Sequence, residues 1–381
     1  MVNKLCAAER LRQLLPAEEA LKAALCCASV LALYALSFAG SLLQAIFLPT
    51  LSMYARSIGL SEAEVGAVAG AGSLAYVVSA LLSEGLLRKL GYRLPASASL
   101  LAVSLGYALL SLARDPTALL AASSLVSFGF GVFWPSVEKG LSKAGGDAPT
   151  FSFSWSAGSL SGALLVSPLA ELGLRTAYTA SSAVSVALAA FPLASAAPGA
   201  EAGAEKGRGV LSLWRSWLLC VAYATSAGGL LAFYPIAAEG LPGYSVSLVV
   251  FSMMLARTLT FLAQRRSPKL LAGSVAALPL LLTPAAVGAI ANQHVHALLA
   301  VAAGVAQGLV YTVALAGIFQ AGGAYTSVFE ASIGLGYAVG PMIGAAGALL
   351  GLEPLLASSL AALSLACPAL LTRKPTAGGN R

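Results

Sequence analysis

Long uncharged, apolar runs recur along the whole chain, and they constrain its fold more than any other feature. A bilayer core about 30 Å thick requires roughly 20 apolar residues per helix. Segments of that length, bounded by charges, prolines or glycines, occupy twelve ranges: 22–47, 62–87, 95–112, 118–137, 151–170, 176–194, 214–235, 247–264, 270–290, 297–319, 327–350 and 354–371. The sequence therefore predicts an all-α integral membrane protein with twelve transmembrane helices.

Composition supports the same class. The chain is 58% hydrophobic and only 10% charged, whereas a typical soluble domain is about half apolar and roughly a quarter charged. The one long polar interruption, 195–213, is rich in Ala, Gly and charged residues. We interpret it as a flexible cytoplasmic linker between an N-terminal six-helix bundle with a short lead, 1–194, and a C-terminal six-helix bundle with a short tail, 214–381.

Basic residues predict the orientation, because cytoplasmic loops carry the excess of Lys and Arg. If both termini are cytoplasmic, eighteen of the 22 basic residues lie in inner segments. The outer loops then hold only Arg56, Arg114 and Arg175, and Arg257 falls inside a span. We therefore expect a multi-pass protein of the cytoplasmic membrane.

The charge and the tryptophans also indicate which partners surround the protein. The net charge of +7 reflects the loop bias, so it does not indicate a nucleic-acid partner. Trp134, Trp155, Trp214 and Trp217 all fall near predicted inner boundaries, where Trp prefers the headgroup level. We expect the lipid bilayer to surround a monomer.

Two features suggest an internal repeat. "LLQAIFLP" ends at Pro49 and "GLLAFYP" ends at Pro235, and twelve residues beyond each proline a serine, Ser61 or Ser247, opens the next span. Parallel repeats of this kind build some transporter folds.

Helix starts can also be read locally. Ser61 with Glu64, and Ser327 with Glu330, fit the S-x-x-E capping box, in which side chains satisfy the first free N–H groups of a helix. This spacing gives both glutamates a structural explanation.

Arg257 is the most informative single residue. A charge within a membrane helix costs at least roughly 2.5–3.5 kcal/mol on insertion scales, so such residues usually face a cavity or a partner. Three interpretations stay open: Arg257 binds an anionic group of a substrate, pairs with a carboxylate such as Glu330 or Glu138, or extends to the nearby inner surface.

The turn between the second and third spans, "SEGLLRKLGYRLP", resembles a motif of the major facilitator superfamily, G-x-x-x-D-[RK]-x-G-[RK]-[RK]. With Gly91 on the second glycine, Lys89 and Arg93 occupy basic positions. Arg88 stands where the family has an acid, and Tyr92 stands on a basic position. Span 5, "SWSAGSLSGALLVSP", span 11, "EASIGLGYAVGPMIGA", and the end of span 4, "GFGVFWPSVEKG", resemble the family's corresponding helices.

The resemblance covers nearly the whole chain and implies the major facilitator fold, with two bundles that rock around a central site. In the family, charges of this loop help to hold the cytoplasmic side closed. Glu84, one helical turn before Arg88, is placed to supply the missing negative charge; the alternative is an ordinary basic inner loop. The candidate cytoplasmic gate residues are Glu84, Arg88, Lys89, Gly91, Arg93, Glu138 and Glu330.

The resemblance also implies that spans 1, 4, 7 and 10 line the cavity. Polar or aromatic residues recur at helical spacing on these spans, and each one either contacts substrate or bonds neighbouring helices. The candidates for the substrate cavity are Tyr34, Ser37, Gln44, Ser127, Tyr223, Ser226, Arg257, Gln307 and Tyr311.

An enzyme is disfavoured by what the sequence lacks. His294 and His296 are the only histidines and share one predicted outer loop, the five cysteines have no metal-binding spacing, and no Lys follows a Gly as a phosphate loop requires. We expect neither a cofactor nor a metal.

The sequence therefore predicts a secondary transporter that moves a small solute by alternating access. Arg257 favours an organic anion or polar metabolite, with a coupling proton or ion left open. The alternatives are multidrug-type efflux of hydrophobic compounds and a polytopic membrane protein that is not a carrier.

Overall fold

A computed structural model of the chain describes residues 17–194, 210–266, 273–321 and 326–371. Most of the predicted linker and both chain ends lie outside these ranges. The described residues form no strand. The α-helices are α1 (Ala17–Ser57), α2 (Glu62–Leu90), α3 (Arg93–Leu112), α4 (Pro116–Lys143), α5 (Ala148–Glu171), α6 (Leu174–Ala194), α7 (Trp214–Ala237), α8 (Ser245–Arg266), α9 (Gln293–Ala321), α10 (Thr326–Leu349) and α11 (Pro354–Leu371).

The ninth predicted span, 270–290, is represented by a 3₁₀ helix, Leu278–Ala289. Pro284 lies within this helix and has no backbone N–H to donate. At about 2 Å per residue, twelve residues of 3₁₀ helix extend about 24 Å. The segment packs against α9 and α11, so it holds the place of a ninth transmembrane segment.

The architecture is that of a multi-pass membrane protein. Ten of the described helices are long and apolar enough to cross a membrane. Helix α5 is not among these ten, because its many serines make it less apolar than the other helices. Two of these serines form hydrogen bonds with α1: Ser154 donates to the Tyr34 carbonyl, and the Ser159 and Ser41 hydroxyl groups bond to each other at 2.6 Å. The twelve-helix fold class predicted from the sequence is confirmed.

We call α1–α6 the N-terminal half and α7–α11 with the 3₁₀ segment the C-terminal half. The halves contact each other mainly through α1 with α7, α2 with α10, and α5 with α8, and to a smaller extent through α4 with α10 and α2 with α7. The α2–α10 contact depends on small residues, since a Cβ on Gly66 would lie 2.6 Å from the Pro341 carbonyl oxygen. Such close approach lets helices pack by dispersion within lipid.

One of the two predicted capping boxes is confirmed. Ser61 caps α2 by accepting the Glu64 N–H, and the Glu64 carboxylate accepts the Ser61 N–H at 2.8 Å. The prediction for Ser327 and Glu330 is wrong, because α10 already includes Thr326. Glu330 accepts a hydrogen bond from Tyr76 of α2.

Ser61 and Ser247, the two serines of the suggested repeat, have different roles. Ser247 lies within the first turn of α8, and its hydroxyl accepts the Ser167 N–H of α5 at 2.8 Å and donates to the Leu164 carbonyl at 3.1 Å. That carbonyl lacks its α-helical donor, since residue 168 is a proline. The Ser247 N–H in turn donates to the Ser167 hydroxyl at 3.1 Å. We call this contact between the halves the serine clasp.

The two histidines are not loop residues as predicted. Both lie in the first turn of α9. His296 is 1% exposed and its ring lies 3.3 Å from the Tyr234 hydroxyl, so it is a buried packing residue.

Candidate functional site

A cavity of about 900 Å³ lies between the two halves. Its lining comes from α1, α2, α4 and α5 on one side and from α7–α10 on the other. Exposed residues Ser142 and Asp147, at the junction of α4 and α5, belong to the lining. The cavity therefore reaches the surface at the helix ends that share a side with the linker, which we call the linker side.

The halves meet on the opposite side. Arg56, at the end of α1, holds Glu239 after α7 through two hydrogen bonds of 2.9 and 3.2 Å. This bond holds the pKa of Glu239 below its ordinary value. The serine clasp lies on the same side, between the end of α5 and the start of α8. The cavity is thus open at one end, and polar contacts between the halves close the other.

Arg257 of α8 lines the cavity and is only 4% exposed. Its guanidinium carbon lies 5.9 Å from the ring centres of both Trp155 of α5 and Tyr223 of α7. Its Nε and Nη1 atoms have no hydrogen-bond partner among the described residues, and no carboxylate there forms an ion pair with it. A buried cation whose N–H groups are unused can bind an anion that enters the cavity.

The two rings beside this arginine belong to a connected cluster of five aromatic side chains, which we call the aromatic wall. Their ring centres follow one another at 6.1 Å (Trp155 to Phe261), 4.9 Å (Phe261 to Tyr311), 5.0 Å (Tyr311 to Tyr223) and 6.0 Å (Tyr311 to Phe329). All five line the cavity. The wall offers ring faces and edges to a bound solute.

Two carboxylates line the cavity from opposite halves, Glu138 on α4 and Glu330 on α10. Glu330 is 6% exposed and accepts a hydrogen bond from Tyr76. Glu138 is bonded by the Thr326 side chain and lies close enough to Glu330 for electrostatic interaction. The cavity therefore contains a pair of carboxyl groups as well as the positive Arg257.

The structure places five of the predicted cavity residues in the lining. Gln44 accepts a bond from the Trp134 indole N–H at 2.8 Å, and the full set is Gln44, Ser127, Tyr223, Arg257 and Tyr311.

The other four predicted cavity residues lie behind the lining. Gln307 donates to Ser226 at 3.1 Å. Tyr34 accepts the Asp147 N–H at 2.7 Å. Ser37 is buried, and its hydroxyl has no partner in the described parts of the chain. Their geometry is that of contacts between or within helices.

The predicted gate residues lie in two separate places, the turn between α2 and α3 and the cavity. Glu84, Arg88 and Lys89 are exposed, and Glu84 forms no ion pair with Arg88 in the described structure. Gly91 ends α2 with φ +70°, and the Arg93 guanidinium lies 5.9 Å from the Tyr92 ring centre. Glu138 and Glu330, by contrast, lie in the cavity itself. A gating role for either group stays a prediction.

Sequence reasoning missed Trp155, Phe261, Phe329 and Tyr76 as cavity residues. Phe261 follows Arg257 by one helical turn, a spacing that places both on one face. Trp155 was interpreted as a headgroup anchor, and only the packing of α5 against α8 shows its ring beside Arg257. Within the described residues no three potential ligands are grouped to hold a metal.

Comparison with solved structures shows the same fold. The nucleoside transporter NupG superposes with a TM-score of 0.69 at 16% identity, covering 91% of this chain and 100% of its own. A bacterial homologue of the human lysosomal transporter Spinster, in an inward-facing and unoccupied conformation, gives 0.64 at 14% identity over 91% and 92%. The Escherichia coli fucose:proton symporter FucP gives 0.58 at 16% identity over 92% and 98%.

Among curated proteins, no sequence matches significantly. The sequence model of the Major Facilitator Superfamily, however, matches residues 33–341, which is most of the chain. That match includes α2–α9 entirely and the greater parts of α1 and α10, so every helix that lines the cavity is matched in full or in large part. Together with the cavity between two helical halves, it shows that the chain belongs to the Major Facilitator Superfamily.

Proposed function

We propose that the protein is a secondary transporter that moves a small organic anion through this cavity by alternating access. The observation that carries the proposal is Arg257, a nearly fully buried cation with unused N–H groups in a cavity shared by both halves.

Energetics support an anionic solute. Burying an ion in a protein costs several kcal/mol even after relaxation. Each contact of the guanidinium with Trp155 or Tyr223 contributes about 0.5–2 kcal/mol, and both lie near the 6 Å limit of that interaction. An arginine side chain stays charged in proteins. A bound carboxylate or similar anion supplies the missing partner and the missing hydrogen bonds.

The way the halves meet supports alternating access. On the closed side they are joined by the Arg56–Glu239 pair and by the serine clasp, which are contacts between groups that water can also satisfy. The solute site itself draws on both halves, because Trp155 is in the N-terminal half and Arg257 is in the C-terminal half. Rocking the halves would therefore open the closed side and rearrange the site in one movement.

The orientation supports a cytoplasmic opening in this conformation. The linker side carries the predicted inner loops with their excess of Lys and Arg, and basic loops remain in the cytoplasm. The conformation described here is then inward-facing.

The carboxylate pair supports coupling to a proton. Glu138 and Glu330 repel each other when both are charged in a low-dielectric cavity, and a proton on either one relieves that repulsion. No Lys or Arg in the described residues forms an ion pair with them. Among the described residues, the titratable groups that interact with the pair include Tyr76 on α2, Cys220 on α7 and Tyr311 on α9. Tyr223 on α7 and Arg257 on α8 line the same cavity.

Transport of anions by the purified protein in liposomes tests the proposal. We expect saturable counterflow of a small organic anion by the wild type and its loss in Arg257→Gln. The matched control is Arg114→Gln, which removes an exposed charge far from the cavity and leaves counterflow intact. Counterflow that survives Arg257→Gln, or the absence of saturable flux for every anion tested, would refute the proposal.

Coupling is tested separately with an imposed pH gradient. Because a glutamine resembles a protonated glutamate, Glu330→Gln should abolish gradient-driven accumulation while counterflow persists. Glu171→Gln, at an exposed position outside the cavity, should keep both activities. If Glu330→Gln still accumulates the anion against its gradient, the carboxylate pair does not carry the coupling proton.

One observation favours a second candidate, multidrug-type efflux: the aromatic wall suits hydrophobic compounds of many shapes. Arg257 would repel the cationic dyes typical of such transport. Dye efflux that is independent of Arg257 would support efflux over anion transport.

A further inference from the structure

We propose that the cavity is selective for aromatic monocarboxylates, with the carboxylate on Arg257 and the ring against the aromatic wall. This inference rests on the proposed transport of an organic anion and names its substrate class. It goes further than Arg257 alone, because an unpaired arginine would accept any small anion.

The orientation of Arg257 favours a planar, two-oxygen acid. Its guanidinium lies near two ring systems, Trp155 and Tyr223, at equal distances of 5.9 Å. The guanidinium can meet the two oxygens of a carboxylate in parallel along either of two edges, Nε with Nη2 or Nη1 with Nη2. Each edge includes one of the two nitrogen atoms without a partner, Nε and Nη1.

The ring binds where the wall continues from the arginine. Phe261 lies one turn after Arg257 on α8, and its ring is 4.9 Å from that of Tyr311 on α9. Tyr311 also contacts Tyr223 and Phe329. An aromatic ring whose carboxylate occupies Arg257 therefore has ring faces or edges from four helices, α7–α10, beside it in the cavity.

The same cavity disfavours a second negative charge. Glu138 and Glu330 line it on the side of Thr326 and Tyr76, so a dicarboxylate would place its second charge within the field of a carboxylate pair. Like charges brought together in a low-dielectric site repel strongly. A single carboxylate on an otherwise apolar ring satisfies both constraints.

The test compares four probes by calorimetric titration of the purified full-length protein. The probes are benzoate, cyclohexanecarboxylate, benzamide and phthalate. Aromatic contacts contribute beyond their buried area, so we expect benzoate to bind roughly 2- to 12-fold more tightly than cyclohexanecarboxylate. Benzamide and phthalate should bind at least about 10-fold more weakly than benzoate, because the first lacks the charge and the second carries two.

Variants separate the two claims. Phe261→Leu should remove most of the preference for benzoate over cyclohexanecarboxylate and retain binding of both acids. The matched control is Phe128→Leu, which changes an exposed phenylalanine of α4 outside the cavity and should leave the ratio unchanged. Arg257→Gln should abolish binding of both acids.

The outcomes are distinguishable. If the two monocarboxylates bind equally to the wild type, or phthalate binds as tightly as benzoate, the aromatic selectivity is refuted while anion transport stands. If neither acid binds and other organic anions are transported independently of Arg257, both proposals fail. Should Phe261→Leu not fold, the wild-type ratios alone decide.

Discussion

Removing the Ser247 hydroxyl should open the closed side of the protein. The hydroxyl accepts the Ser167 N–H at 2.8 Å and donates to the Leu164 carbonyl at 3.1 Å. In Ser247→Ala both groups lose this partner in a buried contact, and the Leu164 carbonyl has no helical donor to return to, since Pro168 follows at the position that would supply one. An unsatisfied buried polar group costs about 1–3 kcal/mol.

The free-energy cost of Ser247→Ala applies only to the conformation that is closed on this side. When the halves separate on this side, water reaches the same groups, so the substitution leaves the open state almost unchanged. A shift of about 1–3 kcal/mol changes the ratio of open to closed molecules roughly 5- to 150-fold. Molecules that are closed on this side should therefore convert substantially to the form that is open on it.

Pulsed electron paramagnetic resonance can measure this shift. Spin labels at Arg114→Cys and His294→Cys report the separation of the two halves on the closed side, because both positions are exposed and belong to different halves. Ser247→Ala should add a longer-distance population. The matched control is Ser61→Ala, which removes a helix cap within one half and costs about 1 kcal/mol without touching the other half. An unchanged distance distribution in Ser247→Ala, or an equal change in Ser61→Ala, would refute the reasoning.

Two further predictions concern contacts between the halves. The Arg56–Glu239 pair is 33% and 53% exposed, so Glu239→Gln should favour opening only about 1.4- to 5-fold, as 0.2–1 kcal/mol implies. Because Arg56 lowers the pKa of Glu239, the pair should stabilise the closed state at neutral pH. This stabilisation should be lost as the pH falls below the ordinary carboxyl pKa of about 4.3. A distance distribution that is independent of pH from 7 to 3.5 would contradict this. Gly66→Ala should lower the thermal midpoint, since its Cβ would lie 2.6 Å from the Pro341 carbonyl oxygen and overpacking costs about 1–3 kcal/mol. Gly85→Ala, with nothing within 4 Å, should be neutral or stabilising, and equal midpoints for the two variants would contradict the packing argument.

Hydrophobic length predicted the membrane segments because the bilayer sets one simple requirement for each of them. The ninth segment shows the limit of that argument. Length and apolarity located it, but they did not indicate that it is a 3₁₀ helix. Local chemistry likewise predicted the cap at Ser61, where all the partners lie within four residues. At Ser327 the same spacing failed, because Glu330 is engaged by Tyr76 from the other half.

The site was predictable where the signal lay within one helix, and Gln44, Ser127, Tyr223, Arg257 and Tyr311 all line the cavity as predicted. Arg257 stands out because a charge within an apolar helix needs a partner. The aromatic wall draws its side chains from α5, α7, α8, α9 and α10, and no periodicity within one helix shows that those rings meet. For Gln307 the prediction from one helix failed. Its polarity suggested a cavity residue, but its amide donates a hydrogen bond to Ser226 behind the lining.

The most direct test of the account is the position of a bound aromatic acid. Crystals of the protein with 4-bromobenzoate would locate the bromine by anomalous scattering and the carboxylate by density. The account predicts the carboxylate within hydrogen-bond distance of Nε or Nη1 of Arg257 and the brominated ring against Phe261 and Tyr311. Bromine located outside the cavity, or a carboxylate that contacts other residues while Arg257 stays unoccupied, would contradict it.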